Sequence, residues 1–229
     1  MKKLVIEGGR KISGTIKISG AKNSVVALIP ASILTNGKCV ITNVPDISDV
    51  RILIEMMQEL GSIITFENDT ITIDNKNVKN KKITEEYASK LRASYYFMGS
   101  LVGKYHNAEI AYPGGCVIGS RPIDYHIKSF KKMGIDIESD GDEFKMKTDH
   151  LKGEYFYLDF PSVGATINIM LASTLADGKT IIENAAKEPE IANVASFLNS
   201  MGASIFGAGT SRIEINGVKN LGDGFVEVI

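Results

Sequence analysis

Apolar and polar positions along the chain follow one order of elements, written three times. Ser24 to Leu34, Ser94 to Val102 and Ala165 to Leu175 are apolar or small nearly all round, which predicts helices buried on every side. A short β-branched run follows each of them: "KCVIT", "AEIAY" and "KTIIE" read as strands. Next come "DVRILIEMMQELG", "IDYHIKSFKKMG" and "EIANVASFLNSMG", with apolar residues at helical spacing and a glycine stop that supplies the left-handed cap conformation. Alternating segments around Asn, Asp or Gly turns, "SIITFENDTITID", "IDIESDGDEFKMK" and "ASIFGAGTSRIEIN", close each copy with a predicted hairpin.

The copies can be laid on one another directly. A shift of 141 residues places Ser24 to Ile64 on Ala165 to Ile205 without a gap, so that "ASILTNGKCVITN" meets "ASTLADGKTIIEN" and Gly61 falls on Gly202. A shift of 70 fits the first helix of the middle copy and a shift of 73 fits its second. Three residues have therefore entered the middle copy, at "YPGGCVIGSR". Helix-bearing copies of about 70 residues that each bury a face predict one α/β domain of pseudo-threefold symmetry, with βαβαββ-like repeats near 22–76, 92–148 and 163–217. The helices are expected inside and the sheets outside. Residues 1–21 precede the copies with strand-like alternation, and "GFVEVI" ends the sequence as a further strand, leaving edges that expect partners beyond Ile229.

Composition narrows the function classes. With 26 Lys plus Arg against 27 Asp plus Glu, no global field recruits nucleic acid or acidic lipid, so any anion binding must be local. No apolar run approaches the roughly 20 residues that span a bilayer, and "MKKLVIEGG" reaches charge and glycine too early for a signal peptide, so a cytoplasmic protein is expected. The two cysteines lie in no CxxC and in no histidine cluster, which argues against a disulfide framework and structural zinc.

Candidate chemistry gathers at the inserted segment and at the starts of the three leading helices. Cys116 sits between a glycine pair and Arg121, where a cation can stabilise a thiolate or hold an anion; an inert loop cysteine is the alternative. Cys39, inside "KCVIT", reads as core packing. Lys22 and Asn23, Arg92, and Ser162 with Gly164 stand at equivalent helix starts, where amide hydrogens and partial positive charge suit phosphate groups. Ordinary capping by Asn23 or Ser162 competes with that reading. Asp124 and His126 open the helix after Arg121, as ligand contacts or as a solvated carboxylate and a half-buried ring, and Lys131 and Lys132 read as a solvated face.

Together "GAKNS", "LRAS", "PGGCVIGSRPIDYH", "PSVGATINIM" and "IIENAAKEPEIANVASFLNSMGA" closely resemble the UDP-N-acetylglucosamine 1-carboxyvinyltransferase family of enolpyruvyl transferases, over essentially the whole sequence. The resemblance implies a two-domain fold with the active site in the cleft between domains, in which residues 22–229 make the three-repeat domain, residues 1–21 pack with the other, and that second domain is largely absent. It implies transfer of the enolpyruvyl group of phosphoenolpyruvate to the 3′-hydroxyl of UDP-N-acetylglucosamine, the step that begins peptidoglycan precursor synthesis. No metal or other cofactor, no nucleic acid and no membrane partner is implied. Cys116 would be the general acid and the site alkylated by fosfomycin. Lys22, Asn23 and Arg121 would hold phosphoenolpyruvate. Arg92, Arg121, Pro122, Ile123, Asp124, Tyr125, His126, Ser162, Val163 and Gly164 would hold the nucleotide sugar.

Two departures from the family pattern stand out. Phe160 and Pro161 stand where many members have Lys-Val, and Tyr96 where many have tryptophan. The family's aspartate base and further arginines would lie beyond residue 229, so the chain by itself is not expected to turn over. The competing readings are the shikimate-pathway enolpyruvyl transferase, a non-catalytic UDP-sugar-binding fragment and a pure scaffold.

Overall fold

A computed structural model describes residues 3–114 and 123–229. The first copy runs α1 (Lys22–Ala31), a 3-10 turn (Ser32–Leu34), β1 (Lys38–Thr42), α2 (Ser48–Glu59), β2 (Ile63–Glu67) and β3 (Thr70–Asp74). After the short α3 (Glu85–Ala88), the middle copy has a 3-10 turn (Arg92–Tyr95), α4 (Tyr96–Tyr105), β4 (Asn107–Ala111), α5 (Asp124–Lys132), β5 (Asp136–Ser139) and β6 (Glu143–Lys147). Strand β7 (Tyr155–Tyr157) leads into α6 (Val163–Ser173), β8 (Lys179–Glu183), α7 (Pro189–Ser200), β9 (Ser204–Phe206) and β10 (Arg212–Asn216), and β11 (Gly224–Glu227) follows. The fold is the expected α/β architecture of three repeats. The leading helices of the first and third copies begin two residues earlier than their apolar pattern suggests. In the middle copy the first turn is wound as 3-10 before the α-helix.

The α1, α4 and α6 helices form the centre. Every residue from Ser24 to Ala31, from Tyr96 to Gly103 and from Ala165 to Ser173 is buried. Full burial of side chains such as Leu28, Ile29, Phe97, Ile167 and Leu171 contributes roughly 1.5–3 kcal/mol each. Buried hydroxyls and amides are tied to neighbours: Ser24 Oγ donates to Asn193 Oδ1, and Asn193 Nδ2 donates to the Glu227 carbonyl at 2.9 Å, linking α1, α7 and the end of β11.

Three sheets surround this centre, in the orders β11-β1-β3-β2, β4-β6-β5 and β7-β8-β10-β9. Within a copy the strands are antiparallel, and each copy receives one parallel neighbour from outside itself. That neighbour is β7 beside β8, a single bridge from Ile83 to Ile110 of β4, and β11 beside β1. The shared turn after the first strand makes the symmetry visible at single residues. Asn43 (φ 56°) and Asn184 (φ 54°) both take the left-handed conformation, which a short polar side chain tolerates. Each then donates its side-chain amide to the end of the parallel neighbour, to Val228 O at 2.8 Å and Leu158 O at 2.7 Å. Gly61, Gly134 and Gly202, one after each second helix, have φ of 104°, 85° and 103°, as the helix-stop reading required.

The two ends differ from expectation. Residues 3–20 form no strand, and Leu4, Val5, Ile6, Ile12, Ile16 and Ile18 are at least 78% exposed. A strand needs a neighbour for its backbone groups, and the place beside β1 is taken by β11. "GFVEVI" pairs on one side with β1, Val40 lying opposite Phe225, and is the edge strand of its sheet on the other, while Ala21 N–H donates to Ile229 O at 2.6 Å. Among the described residues no helix is long and apolar enough to cross a membrane.

Candidate functional site

The N-terminal ends of α1 and α6 and the turn that leads into α4 meet at one rim. A cavity of about 400 Å³ opens there, lined by Lys22, Asn23 and Val26 of α1, by Lys90 to Ala93, Tyr95 and Tyr96 of the middle copy, and by Val163 of α6. Asp49 and Glu190 complete the wall. Convergence of these ends concentrates partial positive charge and amide hydrogens on one space.

Lys22 is the first residue of α1, an end that no side chain caps. A cation there opposes the helix field, and Asp49, in the first turn of α2, answers it at 2.5 Å. Asn23 lines the cavity and does not cap its helix. Arg92 begins the 3-10 turn, its guanidinium 5.9 Å from the centre of the Tyr95 ring. Tyr95 in turn lies 4.5 Å from Tyr96 and meets His126 edge-on at 5.0 Å. Tyr96 is buried, and burial raises its phenol well above the usual value.

At α6, Ser162 does cap: its hydroxyl accepts from Ala165 N at 3.3 Å. Gly164 is required by close approach, because a side-chain carbon there would lie 2.9 Å from His126 Cε1 and 3.1 Å from Tyr95 Oη. His126 is only 6% exposed and its Nδ1 lies 2.8 Å from Asn168 Nδ2. Burial, with a smaller push from Arg92, lowers its pKa to about 4, so the ring is neutral at physiological pH.

Other expected residues sit apart from the main cavity. Ile123 is the buried cap position of α5 and Asp124 its exposed first residue. Tyr125 lines a second hollow of about 220 Å³ with Lys128, Tyr155, Tyr157 and Asp159. Lys132 is more than a solvated cation, since its Nζ donates to Tyr155 O of β7 at 2.5 Å. Phe160 is 62% exposed. Cys116, Arg121 and Pro122 lie outside the described residues. Cys39 is wholly buried in β1, and burial pushes its thiol up to about 12, as its core assignment requires.

Sequence reasoning passed over Asp49, Glu190, Lys90 and Tyr95. The shift of 141 that aligned the helices also carries Asp49 onto Glu190, and a repeated carboxylate two residues into the second helix was the available signal. Among the described residues no group of three His, Cys, Asp or Glu could hold a metal ion.

Residues 6–229 match the family model described as EPSP synthase (3-phosphoshikimate 1-carboxyvinyltransferase). The chain is 51% identical over 219 residues to a protein of Listeria innocua serovar 6a named UDP-N-acetylglucosamine 1-carboxyvinyltransferase 2, with 96% of this chain and 52% of that protein covered. A Bacillus subtilis (strain 168) protein of the same name is 51% identical over 221 residues, again with 96% and 52% covered. The chain thus spans about half the length of the curated relatives it matches. Among solved structures, the enolpyruvyl transferase NikO from Streptomyces tendae superposes with a TM-score of 0.84 at 21% identity, covering 97% of this chain and 53% of that one. EPSP synthase from Acinetobacter baumannii gives 0.72 at 19%, covering 94% and 50%. At those identities the likeness is one of fold.

Proposed function

The chain belongs to the EPSP synthase family, and we propose that it forms one domain of a UDP-N-acetylglucosamine 1-carboxyvinyltransferase. That enzyme would transfer the enolpyruvyl group of phosphoenolpyruvate to the 3′-hydroxyl of UDP-N-acetylglucosamine, releasing phosphate, in the cytoplasm at the start of peptidoglycan precursor synthesis. Residues 22–229 would be the three-repeat domain and residues 1–21 would belong with the second. The observation that carries the reading is the meeting of Lys22, Arg92 and the α6 N-terminus in one cavity, a place built for two phosphorylated groups. Half-identity to relatives named for the UDP-sugar reaction, against 19% to the solved EPSP synthase, favours this branch over the shikimate one.

The residues divide the work by charge. Lys22, Asn23 and Arg121 take phosphoenolpyruvate, a polyanion whose phosphate and carboxylate need cations and amide donors. Arg92, the segment from Arg121 to Tyr125, and the turn Ser162, Val163 and Gly164 take the nucleotide sugar, the last through backbone amides at a helix start. The Cys116 thiol gives its proton to the methylene carbon, which leaves C2 electrophilic to the incoming sugar oxygen. Transfer of one methyl proton to a base, with departure of phosphate from C2, restores the double bond. The base for the sugar hydroxyl is expected outside these 229 residues. Fosfomycin would alkylate Cys116 and leave Cys39 untouched.

Calorimetric titration with UDP-N-acetylglucosamine tests the proposal. Binding in about the millimolar range is expected, weakened at least about tenfold by Arg92→Ala. No binding by the wild-type chain, or binding indifferent to Arg92→Ala, would overturn it.

A further inference from the structure

Beneath the cavity, three residues from three elements form a hydrogen-bonded chain that the proposed reaction leaves unused. Asn168, wholly buried in α6, accepts from the Gly99 N–H of α4 through Oδ1 at 3.0 Å. That contact fixes which end of the amide is oxygen, so the nitrogen faces His126 Nδ1 at 2.8 Å. An amide nitrogen only donates. His126 Nδ1 must therefore accept, and the ring's one proton sits on Nε2. That edge of the ring is turned toward the start of α6 and toward Tyr95: a carbon placed on Gly164 would lie 3.0 Å from Nε2 and 3.1 Å from Tyr95 Oη.

We propose that His126 is a positioning residue: as the neutral Nε2–H tautomer fixed by Asn168, it sets the spacing between the first turn of α6 and Tyr95, and through Tyr95 the place of Arg92 on the cavity wall. The proposal rests on the reading that this cavity takes the nucleotide sugar. It gives the ring a different task from ligand contact, in keeping with its 6% exposure and its place behind the cavity wall. The groups facing the ring all favour its neutral form. From the turn before α4 come Arg92, a like charge, and the Tyr95 ring; from α6 come Asn168 and Gly164, both uncharged. On its own helix, Asp124 and Lys128 are exposed. A proton on Nδ1 would set two donors against each other and place a second cation near Arg92.

Asn168→Asp tests this. The aspartate keeps an oxygen for Gly99 N–H and places another where the amide nitrogen was, so it demands a proton on Nδ1. Imidazole nitrogen NMR on the 229-residue chain, which has three histidines, reads tautomer and charge directly. We expect Nε2–H in the wild type with no titration of His126 between about pH 5 and 8, and in Asn168→Asp a ring protonated on Nδ1 that titrates within that range. UDP-N-acetylglucosamine affinity should then fall about tenfold from pH 8 to 5.5 in the variant and stay within about twofold in the wild type. His126→Gln, which can still accept from Asn168, should hold affinity within about threefold, while His126→Phe should lose about tenfold or more. A wild-type ring protonated on Nδ1 or titrating near its ordinary value would overturn the proposal, as would a charged ring in Asn168→Asp that leaves affinity unchanged. Absence of wild-type binding would instead sink the reading of the cavity, and tautomer and titration would still decide whether Asn168 fixes the ring. Should Asn168→Asp not fold, the wild-type spectrum and the His126→Gln and His126→Phe pair carry the test.

Discussion

The two ends of the central helix trio use cations in opposite ways. At the N-terminal ends, Lys22 stands on the first residue of α1 and Arg92 on the turn that leads into α4, where the peptide dipoles are already positive. At the other ends, Lys104 lies in the last turn of α4 and donates to the carbonyls of Ile33 at 2.7 Å and Thr35 at 2.9 Å. That second arrangement is complete within the fold, because a cation meets helix carbonyls that need a donor. The first arrangement works against the helix field, and at Lys22 Asp49 answers it. A cation placed against the field makes physical sense where an anion is to arrive. The contrast separates a pole built for stability from one built for binding, although the same helices form both.

Titration should separate the poles most sharply. His126, behind the binding pole, accepts a proton in the fold only at about 4, against 6.5 for its ordinary value. The unfolded chain therefore binds more protons in between, and the stability present above pH 6.5 is lost as pH falls toward 4, by on the order of 3 kcal/mol. Urea unfolding of wild type and His126→Gln across that window should show the loss in the wild type and a smaller one in the variant. Equal slopes would remove His126 from the account.

The opposite pole should respond at alkaline pH with a smaller amplitude. Burial pulls Lys104 from 10.5 down to about 8. The unfolded lysine thus holds its proton where the folded one has released it, so stability is lowest below pH 8 and rises toward 10.5. A neutral amine still has two hydrogens for the two carbonyls. The gain should be on the order of 1 kcal/mol, reduced by the half-exposed setting of the side chain, and is read as the difference between wild type and Lys104→Met. That difference matters because Cys39, whose thiol is raised from 9.0 to about 12, lowers stability over part of the same range in both proteins.

The smallest effect on folding belongs to Lys22. Lys22→Met removes a cation from a helix N-terminus together with its half-exposed ion pair, and unfolding free energy should change by no more than about 0.5 kcal/mol. A loss above about 2 kcal/mol would place Lys22 with Lys104 as a structural cation and erase the contrast between the poles.

How much of this was legible in the sequence depended on distance along the chain. The repeat register was legible because each copy must bury the same faces, and it extends to the left-handed turns at Asn43 and Asn184. Core assignment of Cys39 followed from its strand. The pairing of β11 with β1 was not legible, since it joins residues at opposite ends of the sequence and local alternation at 1–21 offered a competing strand. Local pattern could not tell that Ser162 caps its helix while Asn23 does not, because both are polar residues at helix starts. His126 was expected half-buried or touching ligand; its burial depends on Asn168 and Gly99 in other copies, which no local spacing announces.

The hydrogen bond between Ala21 N–H and Ile229 O carries a consequence for handling the molecule. The three-copy body is threaded like a loop whose two strings leave through one knot. Labels or fusions attached on either side of that body start from the same spot on its surface, one residue away from Lys22 of the cavity wall.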